Sequence, residues 1–187
     1  MSFEFSRLDI PDIVLIEADR FVDERGFFME TYKSSEFSRV GIPWRFAQDN
    51  LAYSVAGVLR GLHYQKNPAS QGKLVAVIQG EVFDVGVDLR RGSPTYGQHV
   101  GEILSAENRR MIYVPEGFAH GYCVTSEHAL VWYKATYEYS PVDEGGIIWD
   151  DASLAIDWPV HDPILSPADA SLPAFSDVES NFVYERS

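Results

Sequence analysis

At 187 residues, 45% hydrophobic and 13% aromatic, the chain is long enough to bury a core without covalent staples, and no segment reaches the ~20 consecutive apolar residues that a membrane helix needs. A formal charge of −13 repels polyanions, so nucleic acid is not an expected partner; an anionic small molecule would need a few basic residues converging locally. Cys123 is the one cysteine, which rules out an internal disulfide, and Met1 to Arg7 lacks the basic-then-apolar pattern of a secretory signal, so a cytoplasmic location is expected.

No repeat, low-complexity tract or Gly/Ser linker divides the sequence, which predicts one domain over residues 1–187 with an N-terminal arm and a C-terminal tail packed on it. Ser34 to Gly41, with Ser34 as N-cap candidate, Gly41 as stop and Pro43 just beyond, suits a short helix. Arg60-Gly61-Leu62-His63-Tyr64-Gln65 then sets a cation, an imidazole and a phenol between two apolar runs. Histidine is the side chain whose ordinary pKa lies closest to neutrality, so His63 is a candidate proton carrier. In a regular strand Arg60 and His63 point to opposite faces; they share a pocket only if Gly61 marks a bulge or Arg60 lies where the strand begins.

Lys73 to Ile78 reads as a buried strand closed by a turn at Gln79-Gly80. The next run alternates, with Phe83, Val85, Val87 and Leu89 on one face and Asp84, Gly86 and Asp88 on the other. Asp84 is thus on a solvated face or on the wall of a polar cavity. Leu130 to Tyr139 is a further strand candidate that would align Val131, Tyr133, Ala135, Tyr137 and Tyr139. The tail from Pro159 to Pro173 reads as loop, with one helical turn near Pro167 to Ala170. Many short strands broken by Gly and Pro predict a mainly β protein, an antiparallel jelly roll with a few short helices.

Pro115-Glu116-Gly117-Phe118-Ala119-His120 resembles the second half-motif of the cupin jelly rolls, PxGxxH. Where the first half-motif would supply HxH, the chain has His63-Tyr64-Gln65. One usual metal ligand is therefore missing, and a metal-free cupin is expected. RGLHYQ, QGK at 71–73, DVGVDLRRGSPTYG at 84–97, VPEGFAHGY at 114–122 and YSPVDEGGIIWDD at 139–151 together resemble the dTDP-4-dehydrorhamnose 3,5-epimerase family, over about residues 25–169.

That resemblance implies a cofactor-independent isomerase that inverts C3, C5 or both in a nucleotide-linked, dTDP-type 4-keto-6-deoxyhexose through an enolate, in deoxysugar biosynthesis of the dTDP-L-rhamnose type. It implies His63 as base, Asp169 as its orienting carboxylate, Tyr133 as acid on the opposite face and Lys73 at the enolate oxygen. Substrate contacts are implied for Arg25, Glu30, Gln48, Asp49, Asn50, Arg60, His120 and Glu144. Arg25 and Arg60 suit the diphosphate, and Phe27 or Tyr139 suits stacking on the pyrimidine. The family forms homodimers that exchange N-terminal strands, which the segment Arg25 to Tyr32 fits. Ala168 stands where similar proteins often carry Lys or Arg, so a C3- or C5-only monoepimerase or a ketoisomerase is the alternative; a metal-dependent cupin and a non-catalytic nucleotide-sugar binder follow behind.

Overall fold

The computed structural model describes residues 2–185. In chain order the strands are β1 (Phe3–Arg7), β2 (Val14–Ala18), β3 (Arg20–Asp23), β4 (Gly26–Met29), β5 (Gln48–Val55), β6 (Leu59–Gln65), β7 (Lys73–Gln79), β8 (Glu81–Asp88), β9 (His99–Ser105), β10 (Met111–Val114), β11 (Phe118–Val124), β12 (His128–Ala135) and β13 (Glu144–Gly146). The helix α1 (Ser34–Arg39) precedes β5, and the tail carries two 3-10 turns, Asp169–Ser171 and Phe175–Asp177. A six-stranded sheet of order β1-β2-β10-β7-β12-β5 lies against a five-stranded sheet of order β13-β6-β11-β8-β9, and β3 and β4 form a separate hairpin. Every pairing between these strands is antiparallel. The architecture is the expected jelly roll.

Alternation decides which side chains meet between the sheets. Val75 and Val77 of β7, Val131 of β12 and Ile112 and Val114 of β10 pack there on Val82 of β8, Leu104 of β9 and Phe118 and Val124 of β11. Each such side chain, taken fully out of water, contributes about 1.5–3 kcal/mol. Two outer layers add to this core. Phe37 of α1 and Ile42 cover Val14, Ile16, Leu74 and Ala76 on the outside of the six-stranded sheet. The tail covers the five-stranded sheet, with Leu154, Trp158 and Phe182 against Leu59, Leu62, Val85, Val87 and Leu89.

This second cover explains β8. The apolar face read from its alternation is the outer one, hidden beneath the tail, and Asp84 faces the interior with no solvent exposure. Two other sequence expectations need correcting. Helix α1 begins after Lys33, whose extended backbone makes it the N-cap, and no side chain caps the helix. Strand β12 ends at Ala135, so Tyr137 and Tyr139 do not continue the face of Tyr133. Side-chain amides take over the backbone groups that a longer strand would have paired. Gln71 Nε2 donates to Tyr137 O (2.8 Å), Tyr139 N–H donates to Gln48 Oε1 (2.8 Å) and Ser140 N–H donates to Gln65 Oε1 (2.8 Å).

Candidate active site

A cavity opens between the sheets where β5, β7 and β12 face β6, β11 and β13. It has two adjoining lobes of about 310 and 290 Å³ that share His63, Lys73, Tyr133 and Glu144. Arg60, His120, Tyr122, Ser166 and Asp169 line the first lobe; Gln48, Asn50, Gln71 and Tyr139 line the second. Arg60 and His63 do share this space. Pairing of β6 with β11 runs His120 to His63 and then Tyr122 to Arg60, so β6 carries one extra residue and bulges. Gly61 permits the bulge, because a Cβ there would lie 2.5 Å from Gly121 Cα and the residue sits at φ +131°.

His63 Nε2 is 2.6 Å from Asp169 Oδ1. The other carboxylate oxygen accepts a hydrogen bond from Ser166 Oγ (2.7 Å), which in turn accepts from the Asp169 N–H (3.0 Å). Burial opposes ionisation of Asp169, but the hydrogen bonds from His63 and Ser166 outweigh it and hold the carboxyl below its ordinary range. The acceptor is therefore charged and fixed, and it leaves His63 Nδ1 as the ring nitrogen free to act on a ligand.

Lys73 opens β7 and points between the sheets. Its desolvation lowers its pKa to about 8, although the charges of Asp84 and Glu144 pull it back up. Burial raises the Tyr133 phenol, with Arg60 opposing that shift. Arg60 Nε donates to Ser54 Oγ (3.0 Å). His120 Nε2 lies 3.0 and 2.9 Å from the two oxygens of Asp84. Tyr139 donates to Glu144 Oε2 (2.7 Å), and this bond is the main cause of its raised pKa. Gln48 Nε2 donates to Asn50 Oδ1 (2.8 Å).

Four of the residues expected to contact substrate lie elsewhere in the chain's own fold. Arg25 pairs with Asp23 at the tip of the β3–β4 hairpin, and exposed Phe27 follows it. Glu30 lies just past the hairpin, with one carboxylate oxygen buried and without a hydrogen-bond partner. Asp49 points out of β5 to Lys134 Nζ (2.7 Å). Conversely, Tyr122 and Ser166 line the cavity without having been singled out in the sequence. Tyr122 follows His120 at the strand period of two, and Ser166-x-x-Asp169 is a capping pattern, so both carried a usable signal.

Gln65, which replaces a metal-binding histidine in the motif, is committed to backbone: Nε2 donates to Ala69 O (2.6 Å) and Oε1 accepts from Ser140. Among the described residues no group of three or more His, Cys, Asp or Glu side chains is placed to hold a metal.

A jelly roll with a carboxylate-backed imidazole, a phenol and an ammonium group around one inter-sheet cavity defines a cupin-type enzyme of proton transfer. Residues 7–177 match the family dTDP-4-dehydrorhamnose 3,5-epimerase, and the chain belongs to that family. It is 54% identical over 176 residues to the dTDP-4-dehydrorhamnose 3,5-epimerase of Pseudomonas aeruginosa, covering 93% of this chain and 97% of that one. To the enzyme of the same name from Shigella flexneri it is 51% identical over 174 residues, covering 92% and 96%. The crystal structure of dTDP-6-deoxy-D-glucose-3,5-epimerase from Legionella pneumophila, in complex with dTDP-4-keto-L-rhamnose, superposes with a TM-score of 0.94 at 45% identity, covering 99% of this chain and all of that one.

Proposed function

We propose that the chain is an isomerase that inverts C3 and C5 of a dTDP-linked 4-keto-6-deoxyhexose through an enolate, in deoxysugar biosynthesis of the dTDP-L-rhamnose type, and that residues 1–187 form one catalytic domain. The observation that carries the chemistry is the 2.6 Å contact of His63 with Asp169, opening on the cavity shared with Tyr133 and Lys73. The C4 ketone acidifies the flanking C–H bonds. His63 Nδ1 takes the proton, the C–H electrons move into the C4–O bond, and the Lys73 ammonium meets the charge that develops on that oxygen. Tyr133 returns a proton to the other face of the carbon as the enolate electrons move back from the C4–O bond; its phenolate then takes a proton from solvent and the His63 imidazolium releases one, so that both groups return to their starting states. No step calls on a cofactor or metal.

Arg60 suits the diphosphate, His120 and Glu144 the sugar, and Gln48, Asn50 and Tyr139 the nucleoside. A homodimer that exchanges its N-terminal hairpins would bring Arg25, Phe27 and Glu30 to the neighbouring cavity. Two exposed apolar features support it: Phe21, Val22, Phe27 and Phe28 on the hairpin, and Leu51, Tyr53 and Val55 on the outer face of β5. We assign the chain to the cytoplasm on the strength of its lone buried Cys123. The deciding experiment is turnover of dTDP-4-keto-6-deoxyglucose in D₂O, with deuterium expected at both C3 and C5. No exchange at either carbon overturns the epimerase reading, and sedimentation that finds monomers alone overturns the dimer.

A further inference from the structure

Asp84 is a fully buried charged residue to which the mechanism above gives no role, and it lies against His120 of the cavity wall. Its side chain has no solvent exposure, and both of its oxygens are within 3.0 Å of His120 Nε2. The sheet register produces this contact. On β11 and β8, His120 lies opposite Gly86 and Tyr122 opposite Asp84, so the pair is diagonal on one face. A carboxylate taken out of water needs a donor, and an ionised carboxylate can only accept. Nε2 therefore carries the hydrogen. Nδ1 is then the polar atom that His120 has left for a ligand in the cavity it lines.

We infer that Asp84 is a positioning residue for the epimerisation: it fixes the ring orientation and tautomer of His120, so that one defined nitrogen meets the sugar nucleotide. This deepens the epimerase reading and rests on it. His120 is the direct cross-strand partner of His63, and each imidazole has its own carboxylate. The two pairs differ in access. The His63 side chain is 36% exposed and can exchange its proton with solvent, whereas that of His120 is 7% exposed. The second pair is thus built for a fixed contact, and the first for a proton that comes and goes.

The test combines imidazole nitrogen NMR with kinetics of Asp84→Asn, His120→Ala and the double variant. An amide in place of the carboxylate can donate as well as accept, which frees the ring to take the wrong tautomer. His120 in the unsubstituted protein should show hydrogen on Nε2, and Asp84→Asn should move it toward Nδ1. With that change kcat/KM should fall about 10–100-fold, the usual cost of losing an orienting carboxylate. In the His120→Ala background the same substitution should cost less than about twofold, because residues that act as a unit are not additive.

A bare Nε2 in the unsubstituted protein overturns the inference. So does a loss from Asp84→Asn that multiplies fully with that of His120→Ala, or full activity in Asp84→Asn. Should Asp84→Asn fail to fold, the ring spectrum of the unsubstituted protein and the kinetics of Asp84→Glu decide instead, with Asp84→Glu expected to keep hydrogen on Nε2 and most of the activity; its losing both overturns the inference. Deuterium exchange by the unsubstituted protein separates the two levels. Its absence sinks the epimerase reading itself, whereas normal exchange with an additive double variant sinks only the role of Asp84.

Discussion

Arg60 and His63 line one cavity although they are three residues apart on a strand, because β6 holds one more residue than β11 between their paired positions. The extra residue re-aims the guanidinium toward the interior, where it bonds Ser54 and lies close enough to Tyr133 to offset part of the rise that burial imposes on its phenol. The guanidinium proposed for the diphosphate and the imidazole proposed as base are thereby set side by side by a backbone irregularity.

Gly61→Ala should damage both at once. The added methyl would meet Gly121 Cα at 2.5 Å, backbone against backbone, at a φ that L side chains rarely adopt. Overpacking of this kind costs about 1–3 kcal/mol, and relieving it requires the bulge to shift. The expected result is a lowered melting temperature together with a kcat/KM loss larger than the destabilisation accounts for. Normal kinetics in a folded Gly61→Ala protein would show that the bulge does not place the site.

His63→Ala and Tyr133→Phe should each lower kcat by about 10²–10⁴, the range for general base and acid groups. They should differ in isotope behaviour. Without the base no enolate forms, so exchange with D₂O stops. Without the acid the enolate still forms and is reprotonated from the face it left, so deuterium enters while inversion lags. Equal loss of exchange and inversion in Tyr133→Phe would remove that residue from the acid role.

The sequence made much of this legible, since β-period alternation places Asp84 away from Val85 and Val87, and PEGFAHG marks the turn into β11. What it could not give was which of the two faces of β8 is interior. Phe83, Val85, Val87 and Leu89 are apolar because a tail more than 60 residues later in the chain covers them, and no local pattern reports so distant a contact. The end of β12 was hidden for a similar reason. Gln48, Gln65 and Gln71 capture the backbone at Tyr137 to Ser140, and alternation alone reads those tyrosines as more strand. The site was legible residue by residue where the family motifs run, whereas Tyr122 and Ser166 entered it through register and tail packing.

Ser166→Ala should lower kcat about tenfold, at the weaker end of the effect of removing an orienting partner. Its hydroxyl holds one oxygen of Asp169 while the other faces His63, so its loss lets the carboxylate turn. KM should change less than about twofold, and Ser166→Thr should recover most of the rate. A KM rise with unchanged kcat would instead make Ser166 a substrate contact. Asp169 also ties stability to pH. Its folded pKa is depressed, so its contribution is present above the ordinary carboxylate pKa of 3.8 and is lost as pH falls through the lower folded value. Asp169→Asn should therefore weaken the acid dependence of unfolding below that pH.

Lys73 sets the opposite limb of the pH dependence. Desolvation lowers its pKa to about 8 in the folded protein against an ordinary 10.5, so the free enzyme loses this cation as the pH rises through that value. If the ammonium stabilises the enolate oxygen, kcat/KM should fall above pH about 8. Lys73→Arg, which stays charged, should abolish that limb while lowering the plateau, because a guanidinium is not an ammonium in shape. Bound diphosphate adds negative charge near the lysine, so the limb in kcat should lie at higher pH than the limb in kcat/KM. Stability runs the other way. Between about 8 and 10.5 the unfolded chain binds more protons than the folded one, and stability gains with rising pH in that window. Activity that falls while the melting temperature holds or rises would separate titration of Lys73 from alkaline unfolding, and a limb that persists unchanged in Lys73→Arg would assign it to another group.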